Sequence, residues 1–227
     1  MPQSTLPSDP TTASVTTPET KPLLRGWLHL FMAPVILICG LLLTATAPTL
    51  NVRLACAAYA LSAVILFGTS AAYHRGNWTP PAKEQFRRMD HSNIFIFIAG
   101  TYTPLAVSLL EGRSRVILLT VIWSVAILGV GFRLLWLSAP RWLYTLLYVG
   151  MGWVAIWWLP DLYRAGGAAV IVLVIVGGII YSLGAVSYAT KWPKLNPKWF
   201  GFHEVFHSAT ILAAICHLVA IWLAVFS

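Results

Sequence analysis

Residues 201–226 read G-F-H-E-V-F-H-S-A-T-I-L-A-A-I-C-H-L-V-A-I-W-L-A-V-F, an apolar run with His203, Glu204 and His207 in its first turns. Crossing a bilayer as a helix takes roughly 20 mostly apolar residues, since in hydrocarbon the backbone must satisfy its own hydrogen bonds. On that helix His203 and His207, four residues apart, stand on one face, one turn above the other. Ionisable groups at the edge of a span are costly and usually have a function. Two imidazoles so placed can bind one zinc or similar ion, and each is equally compatible with a solvated or hydrogen-bonded helix-end histidine.

Working outward, six more runs of similar length precede this one, at about 27–47, 53–73, 92–110, 115–135, 142–159 and 166–188. The chain of 227 residues is 58% hydrophobic and only 10% charged, where a soluble domain carries about 25% charged residues. Its mean hydropathy is +0.76. The expected fold is an all-α integral membrane protein, a seven-transmembrane helix bundle spanning residues 23–227. Residues 1–22, rich in Thr, Pro and Ser, read as a disordered cytoplasmic tail. No short apolar stretch with a basic flank and a small-residue cleavage site precedes the first run, so that run itself is expected to direct insertion. The segment 136–141 is short enough for a tight hairpin, and Pro34 and Pro104 lie inside spans, where neighbouring helices can tolerate them.

The net charge of +8 does not form a basic stripe with interleaved aromatics, which excludes a nucleic-acid-binding reading. The basic residues instead sort by side. Lys21, Arg25, Arg75, Lys83, Arg87, Arg88, Arg133, Arg141, Lys191, Lys194 and Lys198 fall on one side, and Arg53, Arg113, Arg115 and Arg164 on the other. The positive-inside rule therefore puts the N-terminus in the cytoplasm and, with seven spans, the C-terminus outside. Trp27, Trp78, Trp142, Trp192 and Trp199 sit at run ends, as interface anchors do. Cys39, Cys56 and Cys216 all lie in apolar runs without CxxC spacing, so free thiols are expected.

On this topology three spans deliver polar groups to the cytoplasmic side at similar depth. The second run ends S-A-A-Y-H, with Ser70 and His74 on one face, and the third opens R-R-M-D-H-S-N, with Asp90 and His91. If the helices are neighbours, His74, His203 and His207 can form a three-histidine zinc site. Three protein ligands with one position left open is the catalytic pattern. Asp90 could hold water there and shuttle its proton. Ser70 could hydrogen-bond substrate or a developing oxyanion, or simply bond back to the carbonyl four residues earlier. His91 follows Asp90 and is expected to point elsewhere. His29 and His217 are read as structural by default, His29 being near enough to the cytoplasmic end to support a ligand from behind and His217 lying about 15 Å along the helix from His207. His203-Glu204-Val205-Phe206-His207 also satisfies H-E-x-x-H, the metalloprotease motif with Glu as base. No Asp or Glu follows Glu204, so a third ligand must come from upstream.

These residues resemble the hemolysin III family, the bacterial branch of the progestin and adipoQ receptor superfamily, which is related to alkaline ceramidases. The resemblance runs from about Gly26 onward and rests on S-A-A-Y-H, M-D-H-S-N-I-F-I-F-I-A-G-T-Y-T-P and H-E-V-F-H-S together. It implies Zn2+ held by His74, His203 and His207, with Asp90 against the coordinated water, Ser70 nearby, and a seven-helix bundle with a cytoplasmic N-terminus. The function expected is a zinc-dependent hydrolase of a lipid-like amide or ester in a bacterial inner membrane, with membrane lipids as partners. The alternatives are a zinc-stabilised sensor of membrane lipid state, a cytolytic protein and a membrane metalloprotease. The short tail and outer connections offer no site for a protein hormone.

Overall fold

The computed structural model describes residues 22–196 and 198–227. The tail expected at 1–22 lies, apart from Pro22, outside the described residues. Among the described residues the regular structure is all helical: α1 (Trp27–Thr46), α2 (Leu50–Arg75), α3 (Pro80–Leu109), α4 (Gly112–Leu135), α5 (Arg141–Gly152), a 3-10 turn (Val154–Trp158), α6 (Leu159–Thr190) and α7 (Phe202–Phe226). Among the described residues, six helical stretches are long and apolar enough to cross a membrane, with Arg141–Thr190 counted as one. Apolar side chains such as Leu41, Leu128, Leu135 and Trp157 stand exposed around the bundle. In a soluble protein such a surface would be an aggregation liability, whereas a bilayer covers it.

The long stretch 141–190 is where the sequence reading and the structure part. The sequence places a connection at about 160–165, between the fifth and sixth runs. In the structure Pro160 sits in the first turn of α6, where its missing N–H costs nothing. The helical path instead breaks at Gly167, with φ 74° and ψ −178°, a conformation that a side chain would strain. The segments on either side run antiparallel. Arg141 donates to the Tyr188 carbonyl at 3.2 Å, and the Trp153 indole donates to Ser182 Oγ at 2.9 Å.

Consecutive helices pack against each other, α3 also touches α5, α6 and α7, and α7 also touches α1. The hub is α3: 67% of its span is buried, against 22–44% for the others. It also begins twelve residues before the run at 92–110, so Asp90 lies inside a continuous helix rather than at its start. Helix ends are closed by arginines that bind otherwise unpaired carbonyls, Arg53 to Ala47 O at 2.8 Å and Arg115 to Leu110 O at 2.6 Å. Cys39, Cys56 and Cys216 are free thiols, as the sequence implies.

Small residues let α7, which carries His203 and His207, approach α6 closely. A Cβ added at Gly184 would meet Ala209 Cβ at 2.6 Å, whereas one at Gly131 meets nothing within 4 Å. Overpacking of this kind costs roughly 1–3 kcal/mol. Gly184→Ala should therefore lower the detergent melting temperature, while Gly131→Ala leaves it unchanged or raises it through better helix propensity.

Candidate metal centre

Three helices converge to build the site. α2 contributes Ser70 and His74 from its last turns, α3 contributes Asp90, and α7 contributes His203 and His207 from its first turns. One nitrogen each of His74, His203 and His207 lie within 4.8 Å of one another. The Nε2 atoms of His74 and His203 are 3.2 Å apart. Zinc–nitrogen bonds of about 2.0–2.1 Å in a tetrahedron set neighbouring nitrogens roughly 3.3 Å apart. The His74–His203 pair already meets that spacing, and small rotations would bring His207 into it. The donor set fits a metal ion, and nitrogen ligands suit zinc among several transition metals.

Asp90 is 8% exposed, and its Oδ2 is 4.0 Å from His74 Nε2. That separation puts the carboxylate beside the triad without displacing any of its members. Ser70 lies close to the Asp90 carboxylate across the α2–α3 interface, and both line the same cavity. Ser70 is thus placed to orient the carboxylate.

His29 of α1 stacks on His207 with ring centroids 3.9 Å apart and only 11° between planes, while Phe67 meets it edge-on. His29 therefore buttresses a triad member, a role that its spacing in the sequence does not reveal. His91 points away from the triad, stacking at 5.5 Å on the Tyr144 ring, and still lines the same cavity as Asp90. Its Nδ1 lies 2.7 Å from an Arg133 nitrogen, and because a guanidinium only donates, Nδ1 must accept. That leaves Nε2 as the N–H of His91. Arg133 is almost wholly buried, lies 4.4 Å over the Tyr144 ring and donates to Trp136 O at the end of α4. Tyr148 donates to the His91 carbonyl at 2.9 Å. None of Arg133, Tyr144 or Tyr148 stands out in the sequence, where an arginine at a run end reads as a topology signal.

Glu204 does not face the triad. Its carboxylate is ion-paired with Arg25 and accepts the Gly201 N–H at 2.8 Å, capping α7. A general base of the H-E-x-x-H kind needs a carboxylate free to take a proton from water, and this one is engaged twice.

Two members of the triad, His203 and His207, line one end of a cavity of about 110 Å³. His29, Ser70, Asp90, His91, His203 and His207 line that end, and Leu66, Ile94, Phe97, Ile98 and Phe206 are among its apolar walls. His217 also lines it, and fourteen residues of α7 separate His203 from His217, or about 21 Å at 1.5 Å per residue. The imidazole of His217 contacts the Val174 carbonyl at 3.2 Å.

A helical bundle with a lipid-compatible surface and an interior histidine triad able to hold a metal ion defines an integral multi-pass membrane protein. Residues 18–218 match the family described as Haemolysin-III related, and the chain belongs to that family, within the progestin and adipoQ receptor superfamily. It is 32% identical over 150 residues to a hemolysin-3 homolog of Bacillus subtilis, covering 66% of this chain and 67% of the relative. To hemolysin-3 of Bacillus cereus it is 35% identical over 137 residues, 60% of this chain and 61% of that one. A shorter match, 40% identical over 50 residues, is to the ADIPOR-like receptor IZH2 of Saccharomyces cerevisiae, covering 20% of this chain and 16% of the receptor. The chain thus spans about two thirds of the length of the bacterial relatives.

Proposed function

We propose that this protein is a zinc-dependent hydrolase of a lipid-like amide or ester, with its site in the cytoplasmic half of a bacterial inner membrane. The observation that carries the reading is a three-nitrogen ligand set, with a buried carboxylate beside it, at the end of an elongated apolar cavity. His74, His203 and His207 would hold the ion. Bound zinc supplies Lewis acidity and brings the pKa of coordinated water to about 7.

The chain's own residues supply the rest. Apolar walls from α2, α3 and α7 take up an acyl chain and exclude water from the reacting end. Asp90 Oδ2 holds and moves a proton next to the triad, and Ser70 fixes the rotamer of that carboxylate. The His91 N–H is the donor closest in sequence to Asp90 for a carbonyl in the cavity. The engaged state of Glu204 speaks against a protease reading.

The topology proposed is seven crossings, the fifth and sixth folding back at Gly167, with the N-terminus cytoplasmic and the C-terminus outside. Its supports are the antiparallel contacts across 141–190 and the excess of Lys and Arg on one side. In a background with the three native cysteines replaced, an impermeant thiol reagent applied to spheroplasts should label Ser227→Cys and leave Lys83→Cys unlabelled until lysis. The reverse pattern overturns the orientation.

The function is tested by purifying the wild type, measuring metal, and assaying fatty-acid release from a panel of N-acyl and O-acyl lipids in proteoliposomes. About one zinc per chain with release from at least one lipid class supports the reading. A folded wild type that contains no metal, and takes up none when zinc is added, ends it.

A further inference from the structure

Residues 22–27 run across the cytoplasmic end of the bundle as a strap, and each of its attachments falls beside the histidine triad. Leu23 N–H donates to the Lys198 carbonyl at 2.9 Å, and Leu24 N–H to the Trp199 carbonyl at 3.4 Å, tying the strap to the connection that leads into α7. Arg25 forms its ion pair with Glu204, the residue directly after His203. Gly26 takes φ 84°, and a Cβ there would lie 2.7 Å from His74 Cβ, so the strap backbone rests on a second triad member. Trp27 completes the contact, with the Arg75 guanidinium 4.2 Å over its ring, next to His74 in sequence.

The Glu204 side chain is 2% exposed and that of Arg25 20% exposed, so this pair is poorly screened by solvent. A helix start has no upstream turn to hold it, and α7 begins at Phe202, one residue before His203. What fixes the rotation and depth of that first turn is the Glu204 carboxylate, gripping the Gly201 N–H behind it and Arg25 across from it.

We infer that Arg25 and Glu204 are positioning residues for the metal site: through the strap they lock the first turn of α7 against the end of α2, holding His203 and His74 at ligand spacing. The glutamate of the H-E-x-x-H pattern then serves metal retention rather than proton transfer. This rests on the triad binding a metal, and the test separates the two ideas.

Zinc-loaded wild type in detergent is mixed with a chromogenic chelator, and the release rate is recorded. The same is done for Arg25→Ala, Arg25→Lys, Glu204→Gln and, as a core-destabilising control away from the strap, Ile122→Ala; melting temperatures are taken alongside. Groups that orient metal ligands typically change metal affinity 10–100-fold when removed. Arg25→Ala and Glu204→Gln should each release zinc at least about tenfold faster, with Arg25→Lys closer to wild type. Ile122→Ala should melt lower yet release at the wild-type rate. Glu204→Gln keeps an acceptor for Gly201, so it reports on the Arg25 contact even if Arg25→Ala does not fold. Release within twofold of wild type in Glu204→Gln overturns the inference, as does equal acceleration in Ile122→Ala. A wild type that never loads zinc removes the metal reading itself and is recognised before any variant is made.

Discussion

His203→Ala should purify as a folded protein carrying less than about a tenth of the zinc found in wild type, measured by elemental analysis after gel filtration. His203 Nε2 stands 3.2 Å from His74 Nε2, a spacing that suits two ligands of one ion. Removing it leaves two nitrogens, below the three that open sites supply. Orienting residues around a metal already cost 10–100-fold in affinity when lost, so deleting a ligand should exceed about 100-fold. The fold should survive because His203 is only half-buried and packs edge-on to Tyr188 at 5.5 Å, leaving the α6–α7 seam intact. His74→Ala and His207→Ala should behave alike, with a larger loss of stability for His207, which is buried and stacked on His29. Full zinc in all three variants would place the ion elsewhere and end the triad assignment.

Asp90→Asn should keep the zinc and the fold while lowering lipid hydrolysis by about 10²–10⁴-fold, the usual contribution of a positioned acid–base group. The substitution preserves volume, and the amide oxygen can still accept from Ser70. At 4.0 Å from His74 Nε2 the carboxylate lies beside the triad, so metal content should not follow activity. This variant also separates the two leading readings. Retained zinc with lost hydrolysis is the outcome for an enzyme. Undetectable hydrolysis of a broad lipid panel by wild type, together with a cellular phenotype that persists in Asp90→Asn, is the outcome for a zinc-stabilised sensor of membrane lipid state.

Much of the site was legible because the membrane simplifies the problem. Spans of fixed length set the depth of each residue, so polar groups at matching ends of different runs become candidates for one cluster. That is how Ser70, His74, Asp90, His203 and His207 could be gathered from three separated stretches, and the structure brings all five together at one end of the bundle. Depth alone says nothing about rotation around a helix axis. His91 does point away from the triad, as its place after Asp90 implies, but its partners Arg133 and Tyr144 could not be read from the sequence. The depth of His29 near the cytoplasmic end suits a supporting role, but its partner, His207, lies far away in sequence and only the structure pairs them.

The sequence by itself determined the class of protein, the apolar runs and the family, because hydropathy over about 20 residues and short motifs at fixed offsets are local properties. It also carried the residue types of the candidate metal centre. Tertiary structure alone decided where the 141–190 stretch turns, since Pro160 and Gly167 both look like breakers and only packing chooses between them. It alone gave Arg133 to His91, stacked His29 on His207, and turned Glu204 from the triad to Arg25. Each of those depends on which helix lies beside which, and on the angle at which it is rotated. Such pairings are set by the close fit of small residues like Gly184 and Ala209 across helix seams, a property of pairs of surfaces that no single stretch of chain records.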